Sequence, residues 1–140
     1  MKDTPPILKA MLDTDQFSKW LGLEVDGFGS GYCKLHFTIR PEMLNGFGIV
    51  HGGVVFSAAD SAFAFACNSH GRISVALDVQ ITFIRSAKEG DVLTIEAKEV
   101  HLGYKTSFYN ITVHNEQDEI IATFKGTAYR TSKDILPTTE

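Results

Sequence analysis

The segment "VVFSAADSAFAFACNSHG", residues 54–71, limits what the chain can fold into more than any other. It is rich in alanine and too long for a strand, so it reads as a helix, with Asn68 to Gly71 as its stop signal. Apolar residues occupy nearly every side of it, the pattern of a helix buried all round. A lone helix can be buried that way only if a second layer curls around it.

The rest of the chain supplies that layer. In "RISVALDVQITFIR", Ile73, Val75, Leu77, Val79, Ile81 and Phe83 alternate with their neighbours and should share one face of a strand. "DVLTIEAKEVH", "YKTSFYNITVHN" and "EIIATFKGTAYRT" follow, and the separators "LG" and "EQDE" read as hairpin turns. Upstream, "LGLEVDGFGSGYCKLHFTIR" reads as two strands about a glycine turn, with Cys33, Leu35, Phe37 and Ile39 on one face. A helix over residues 5–21, interrupted near "DTD", should precede them, and residues 132–140 should form a loose tail. The expected fold class is α+β: five or six mostly antiparallel strands curved around one long helix, one domain over residues 1–140.

A net charge of -4 with scattered lysines and arginines argues against a nucleic-acid partner. No stretch resembles a signal peptide or could span a bilayer, and Cys33 and Cys67 suit buried free thiols, so a cytoplasmic setting is expected. Gly48 and Gly53 have phosphate-loop spacing, but Val54 and Val55 stand where Lys and Ser/Thr are required. "HGG" has the look of a lipase oxyanion loop, yet no Gly-x-Ser-x-Gly elbow accompanies it. The five histidines include no pair at helical ligand spacing, which speaks against a metal site.

Two features remain, both within "NGFGIVHGGVVFSAAD", residues 45–60. Helix starts carry unpaired N–H groups and a partial positive charge, and Gly52 and Gly53 leave them unobstructed. Either these glycines shape a tight turn, or they present donors to a developing oxyanion. Asp60 stands among Ala58, Ala59, Ala62 and Phe63, where an unpaired carboxylate costs several kcal/mol. Either it is satisfied by Ser57, Ser61 or a strand hydroxyl, or it is a base or nucleophile whose pKa burial has raised. Residues 52 and 60 are about 12 Å apart along a helix, too far to act on one reacting group. Two antiparallel helices across a twofold axis would bring Gly52 of one chain to Asp60 of the other. An obligate dimer with composite sites is therefore expected.

This stretch, followed by "ACNSHG", a strand ending "FIR" and "GD" before the next strand, resembles the hotdog-fold acyl-CoA thioesterases, most closely the PaaI-type branch of phenylacetate degradation. The likeness covers residues 17–131. It implies a hotdog fold, a dimer whose sheets join, commonly a homotetramer of two dimers, and hydrolysis of an acyl-CoA without metal or redox cofactor. By position, Asp60 matches the catalytic carboxylate, and Gly52 the residue whose N–H polarises the thioester carbonyl. Asn45 matches the polar residue that holds the thioester or the water, and His51 has a supporting role. Gly53 and Phe47 fall beside the substrate. Where some relatives carry a strand serine this chain has Ala76, and Ser74 on the same face is its substitute. Arg85, Lys88 and Arg130 are candidates for the coenzyme A phosphates, or else solvated surface charges. Phe47, Phe63 and Phe65 either line an aromatic acyl pocket or belong to the core. Two other functions compete: a hotdog hydratase or dehydratase, which needs a His–carboxylate dyad, and a non-catalytic acyl-CoA-binding protein.

Overall fold

The computed structural model describes residues 4–137. Two short helices, α1 (Pro6–Thr14) and α2 (Gln16–Leu21), open the chain. The break between them is Asp15, whose carboxylate accepts from the Ser18 N–H at 3.0 Å and so caps α2. Strands β1 (Glu24–Gly29) and β2 (Tyr32–Thr38) precede the long helix α3 (Gly52–Asn68). Strands β3 (Arg72–Phe83), β4 (Val92–Leu102), β5 (Thr106–His114) and β6 (Ile120–Asp134) complete one antiparallel sheet, ordered β1-β2-β4-β5-β6-β3. The sheet curls around α3, which packs against every strand. Among the described residues no helix is long and apolar enough to cross a membrane.

Small residues set the distance between helix and sheet. Ala58, Ala59, Ala62 and Ala66 are fully buried, and Phe63 fills the space between them and β6. A Cβ on Gly126 would lie 2.7 Å from the Phe63 ring, so that strand position admits only glycine at this spacing. Phe63 and Phe65 are core residues, not pocket walls.

The turn "NSHG" locks the far end of α3. The Asn68 amide donates to the Ser74 carbonyl at 3.0 Å and accepts from the Ser74 N–H at 2.8 Å, pairing with β3 as a strand residue would. Ser69 Oγ accepts from the Gly31 N–H at 2.7 Å, and His70 Nε2 lies 2.7 Å from Glu99 Oε1. Burial works to raise the Glu99 pKa, but its bonds to His70 and Tyr109, with Arg130 nearby, outweigh that and hold it below the usual glutamate value.

Three sequence expectations need correction. The apolar residues of β3 do not share one face. A β-bulge between Ala76 and Asp78 inserts Leu77 and reverses the alternation. Beyond it Val79, Ile81 and Phe83 pair with Gly126, Phe124 and Ala122 and face α3, as Ser74 and Ala76 do before it, while Val75 pairs with exposed Tyr129 on the outer face. Second, α3 is not buried all round: Gly53, Ser57, Asp60, Ser61 and Ala64 form a stripe that keeps partial exposure, because the sheet covers the other sides. Third, the tail is anchored at its start. Residues 132–134 belong to β6, and the Ile135 N–H donates to the Gly71 carbonyl at 2.8 Å; residues 138–140 lie outside the described residues.

Truncating Asn68 leaves a buried donor and acceptor of Ser74 unpaired. Asn68→Ala should therefore destabilise the protein by about 2–3 kcal/mol, read as a lowered urea midpoint at unchanged slope.

Candidate active site

The start of α3 is built by side chains that fold the loop before it. Asn45 Oδ1 accepts from the N–H groups of Phe47, at 2.9 Å, and Ile49, at 3.3 Å. These bonds, with positive φ at Gly48, close the turn "NGFG". They use the amide oxygen and leave the Asn45 NH₂ as a free donor. Phe47 stands at the tip, 90% exposed. His51 then serves as N-cap: its Nδ1 accepts from the Gly53 N–H at 2.8 Å, and its carbonyl accepts from the Val54 N–H at 3.0 Å. An accepting Nδ1 fixes the neutral tautomer with its proton on Nε2. A Cβ at Gly53 would lie 3.0 Å from Nδ1, so glycine is what lets the ring reach.

With those two donors taken, Gly52 is left. Among the described residues no acceptor meets its N–H. Gly52 lines a cleft of about 290 Å³ with Ile49, Val50, Val55, Phe83, Ile84, Arg85, Ser86 and Ile121. A free backbone donor at the positive end of a 17-residue helix, in a mostly apolar cleft, is the arrangement that stabilises negative charge developing on an oxygen.

Asp60 is half-buried, and burial raises its pKa above the usual aspartate value of 3.8. The two serines that could have satisfied it are engaged elsewhere. Ser57 Oγ donates to the Gly53 carbonyl at 2.7 Å, and Ser61 Oγ lies 2.9 Å from Ser18 Oγ. Among the described residues no donor meets the Asp60 carboxylate. A partly desolvated carboxylate without a partner is a candidate for proton transfer or nucleophilic attack. It is absent from the Gly52 cleft.

The remaining candidates separate. Arg85 borders the Gly52 cleft, but its guanidinium pairs with Glu119 at 3.4 Å. Lys88 lies exposed in the loop after β3. Arg130 donates to the Gly103 carbonyl at 2.6 Å, away from the cleft. Ser74 is buried, its hydroxyl donating to the Arg72 carbonyl at 3.2 Å, and it lines a different cleft beside α1 with Ala64 and Asn68. Ala76 faces α3 two residues further along β3. The cleft also contains a side chain that sequence reasoning passed over. In the sequence Phe83 reads as one more member of an alternating apolar face, and only its place at the end of that strand sets it apart.

Comparison with known proteins identifies the family to which the chain belongs. Residues 47–122 match the thioesterase superfamily. The acyl-coenzyme A thioesterase PaaI of Escherichia coli is 40% identical over 121 residues, covering 86% of each chain. The E. coli PaaI structure, described as from the phenylacetic acid degradation operon, superposes with a TM-score of 0.88, covering 89% of this chain and 91% of that one. A putative esterase of Archaeoglobus fulgidus is 42% identical over 128 residues, 91% of this chain and 83% of the other. A Streptococcus mutans protein solved bound to acetyl CoA has a TM-score of 0.78 at 28% identity, covering 80% and 90% of the two chains. The chain belongs to the thioesterase superfamily, with the hotdog fold and PaaI-type character that its loop and helix announced, and it is a thioester hydrolase.

Proposed function

We propose that this protein hydrolyses an acyl-CoA to the free acid and coenzyme A, at sites each shared between two subunits. The observation that carries the reading is the pair of unsatisfied groups on one helix: the Gly52 N–H in its cleft and the Asp60 carboxylate outside it. In this reading the Gly52 N–H of one subunit binds the thioester carbonyl oxygen. Asp60 of the partner subunit takes a proton from water as it attacks the carbonyl carbon and passes that proton to the departing thiolate; attacking as nucleophile itself, it forms an acyl-aspartyl anhydride that water then hydrolyses to the free acid. Negative charge collects on the oxygen held by Gly52, and the tetrahedral adduct collapses by expelling the thiolate. Thiolate is a good leaving group, so no Ser-His-Asp triad is needed. Asn45, with only its NH₂ free, donates to the thioester or to the water oxygen. His51 supports the site by capping the helix, and Gly53 makes that cap possible. Coenzyme A enters as substrate, and the chemistry calls for no other cofactor.

The sheet edges support a dimer. At one edge β1 is short, bulged, and carries Glu24 and Asp26, both bonded to His36, the devices that discourage strand addition. At the other, β3 runs for 12 residues with Val75 52% and Leu77 61% exposed. An edge that long and apolar calls for a partner strand, and a second β3 would continue the sheet and face two α3 helices across the axis. Two such dimers pairing into a homotetramer would follow the family habit. Substrates are expected among ring-hydroxylated phenylacetyl and related aromatic or medium-chain acyl groups. The cleft's apolar lining and the phenylacetic acid operon of the E. coli relative support that choice, and exposed Phe47 is available to a bound acyl group.

Thiol release from a panel of acyl-CoAs tests the reading: hydrolysis of an aromatic or medium-chain member is expected, and none on any member contradicts it. Gly52→Pro keeps a residue that helix starts accept and removes the donor, and its Cβ would turn the half-exposed Phe83 ring aside from 3.2 Å, so kcat should fall at least about a hundredfold with folding retained.

Asp60→Asn should remove most turnover and yet stabilise the protein. A raised folded-state pKa means that stability declines as pH rises from the ordinary 3.8 through the folded-state value. The asparagine variant escapes that decline. It should have the higher melting temperature at pH 7, with the advantage gone below the ordinary aspartate pKa. Equal melting temperatures at both pH values would show that burial does not strain this carboxylate.

A further inference from the structure

We propose that Phe83 is the side chain against which the thioester sulfur packs, and that its ring edge makes the site favour thioesters over oxygen esters. The inference rests on the hydrolase reading above and adds a residue that lies outside both the glycine loop and the helix.

Phe83 is the last residue of β3 and faces α3, yet it is 54% exposed, unlike the buried residues it pairs with on β6. Its ring is aimed at the start of the helix. A Cβ built on Gly52 would lie 3.2 Å from the ring's Cζ, 3.4 Å from Cε1 and 3.7 Å from Cε2. These three atoms form the outer edge of the ring, so an edge and not a face meets Gly52. Adding the intervening bonds places that edge no more than about 6 Å from the Gly52 nitrogen. A carbonyl oxygen bound to the nitrogen sits about 3 Å away. A carbonyl held there lies within reach of that edge, and in this proposal one of the two substituents on its carbon, sulfur or α-carbon, packs beside the ring.

The cleft's opening decides which. Ile84, Arg85 and Ser86 are exposed, so the cleft leads to solvent past the end of β3. The long, polar thiol arm of coenzyme A needs such an exit. At about 290 Å³, one protomer's cleft has room for part of that arm and not for the whole molecule. Asp60 lies outside this cleft and must reach the carbonyl from the other side. The sulfur is thus the substituent next to Phe83. Thioether-type sulfur packs favourably at aromatic ring edges, and the edge carries the positive part of the ring quadrupole. That edge also suits the negative charge that grows on sulfur as the thiolate leaves. Oxygen, smaller and less polarisable, gains less from the same contact.

The test compares kcat/KM for one acyl-CoA with that for its analogue in which oxygen replaces the sulfur, using the intact protein and following acid release by chromatography. Phe83→Leu is expected to lower the thioester-to-oxygen-ester ratio about three- to tenfold, and Phe83→Tyr, which keeps the ring, to retain it. A purely structural role would reduce both substrates alike and leave the ratio unmoved. Phe83→Ile gives the same readout if leucine compromises folding. An unchanged ratio in the ring-less variants overturns the proposal, as does an effect confined to acyl groups branched at the α-carbon. A wild-type protein inert towards every thioester would instead defeat the hydrolase reading, and this proposal with it.

Discussion

An α-helix cannot bring its first residue and its ninth to one point. That rigidity governs what α3 can do, because Gly52 and Asp60 stand about 12 Å apart on it, both without partners among the described residues. The sheet enforces the separation by curling around the helix, with Gly126 seated on Phe63 and the "NSHG" turn tied to the β1–β2 turn, β3 and β4. A helix so held neither bends nor slides. If the donor and the acid serve one reaction, a second subunit has to supply one of them, and the unprotected β3 edge offers the place for it to bind.

The loop shows how a single donor is set aside. A helix start leaves several N–H groups unpaired, any of which could bind an anion or a water molecule. Here His51 takes two of them, one with its ring and one with its carbonyl, while Asn45 closes the preceding turn by accepting from the loop N–H groups of Phe47 and Ile49. What remains is one N–H at Gly52, fixed in direction before any substrate arrives. Donors that need no reorganisation during the reaction are the ones that lower its barrier most. Asp60 is the complementary case: half-buried beside serines that bond elsewhere, it is kept from the neutralising contacts that would make it inert.

Most of this was legible in the sequence, because the signals were local. The alanine-rich run gave away the helix, alternation the strands, and a charge among apolar residues the candidate acid. What sequence could not show depended on pairing. The bulge at Leu77 is a property of β3 against β6, and strict alternation hid it by appearing to place Val75 and Phe83 on one face. Ser74 sits in a cleft apart from Gly52, held there by its bonds to Asn68 and Arg72, a placement that pairing and not the local pattern sets. Arg85 stands at the cleft but pairs with Glu119, a partner 34 positions away that no local pattern reveals. Phe83 gained a role only because the end of its strand meets the start of the helix.

The composite nature of the site is most directly measured by mixing two inactive chains. Co-expressed Asp60→Asn and Gly52→Pro subunits that pair at random form mixed dimers in half of all cases, and each mixed dimer contains one site free of both lesions. Shared sites predict recovery to about a quarter of wild-type activity. Activity that stays at the level of the two separate variants would show that each chain works alone, and the account would fail at its centre.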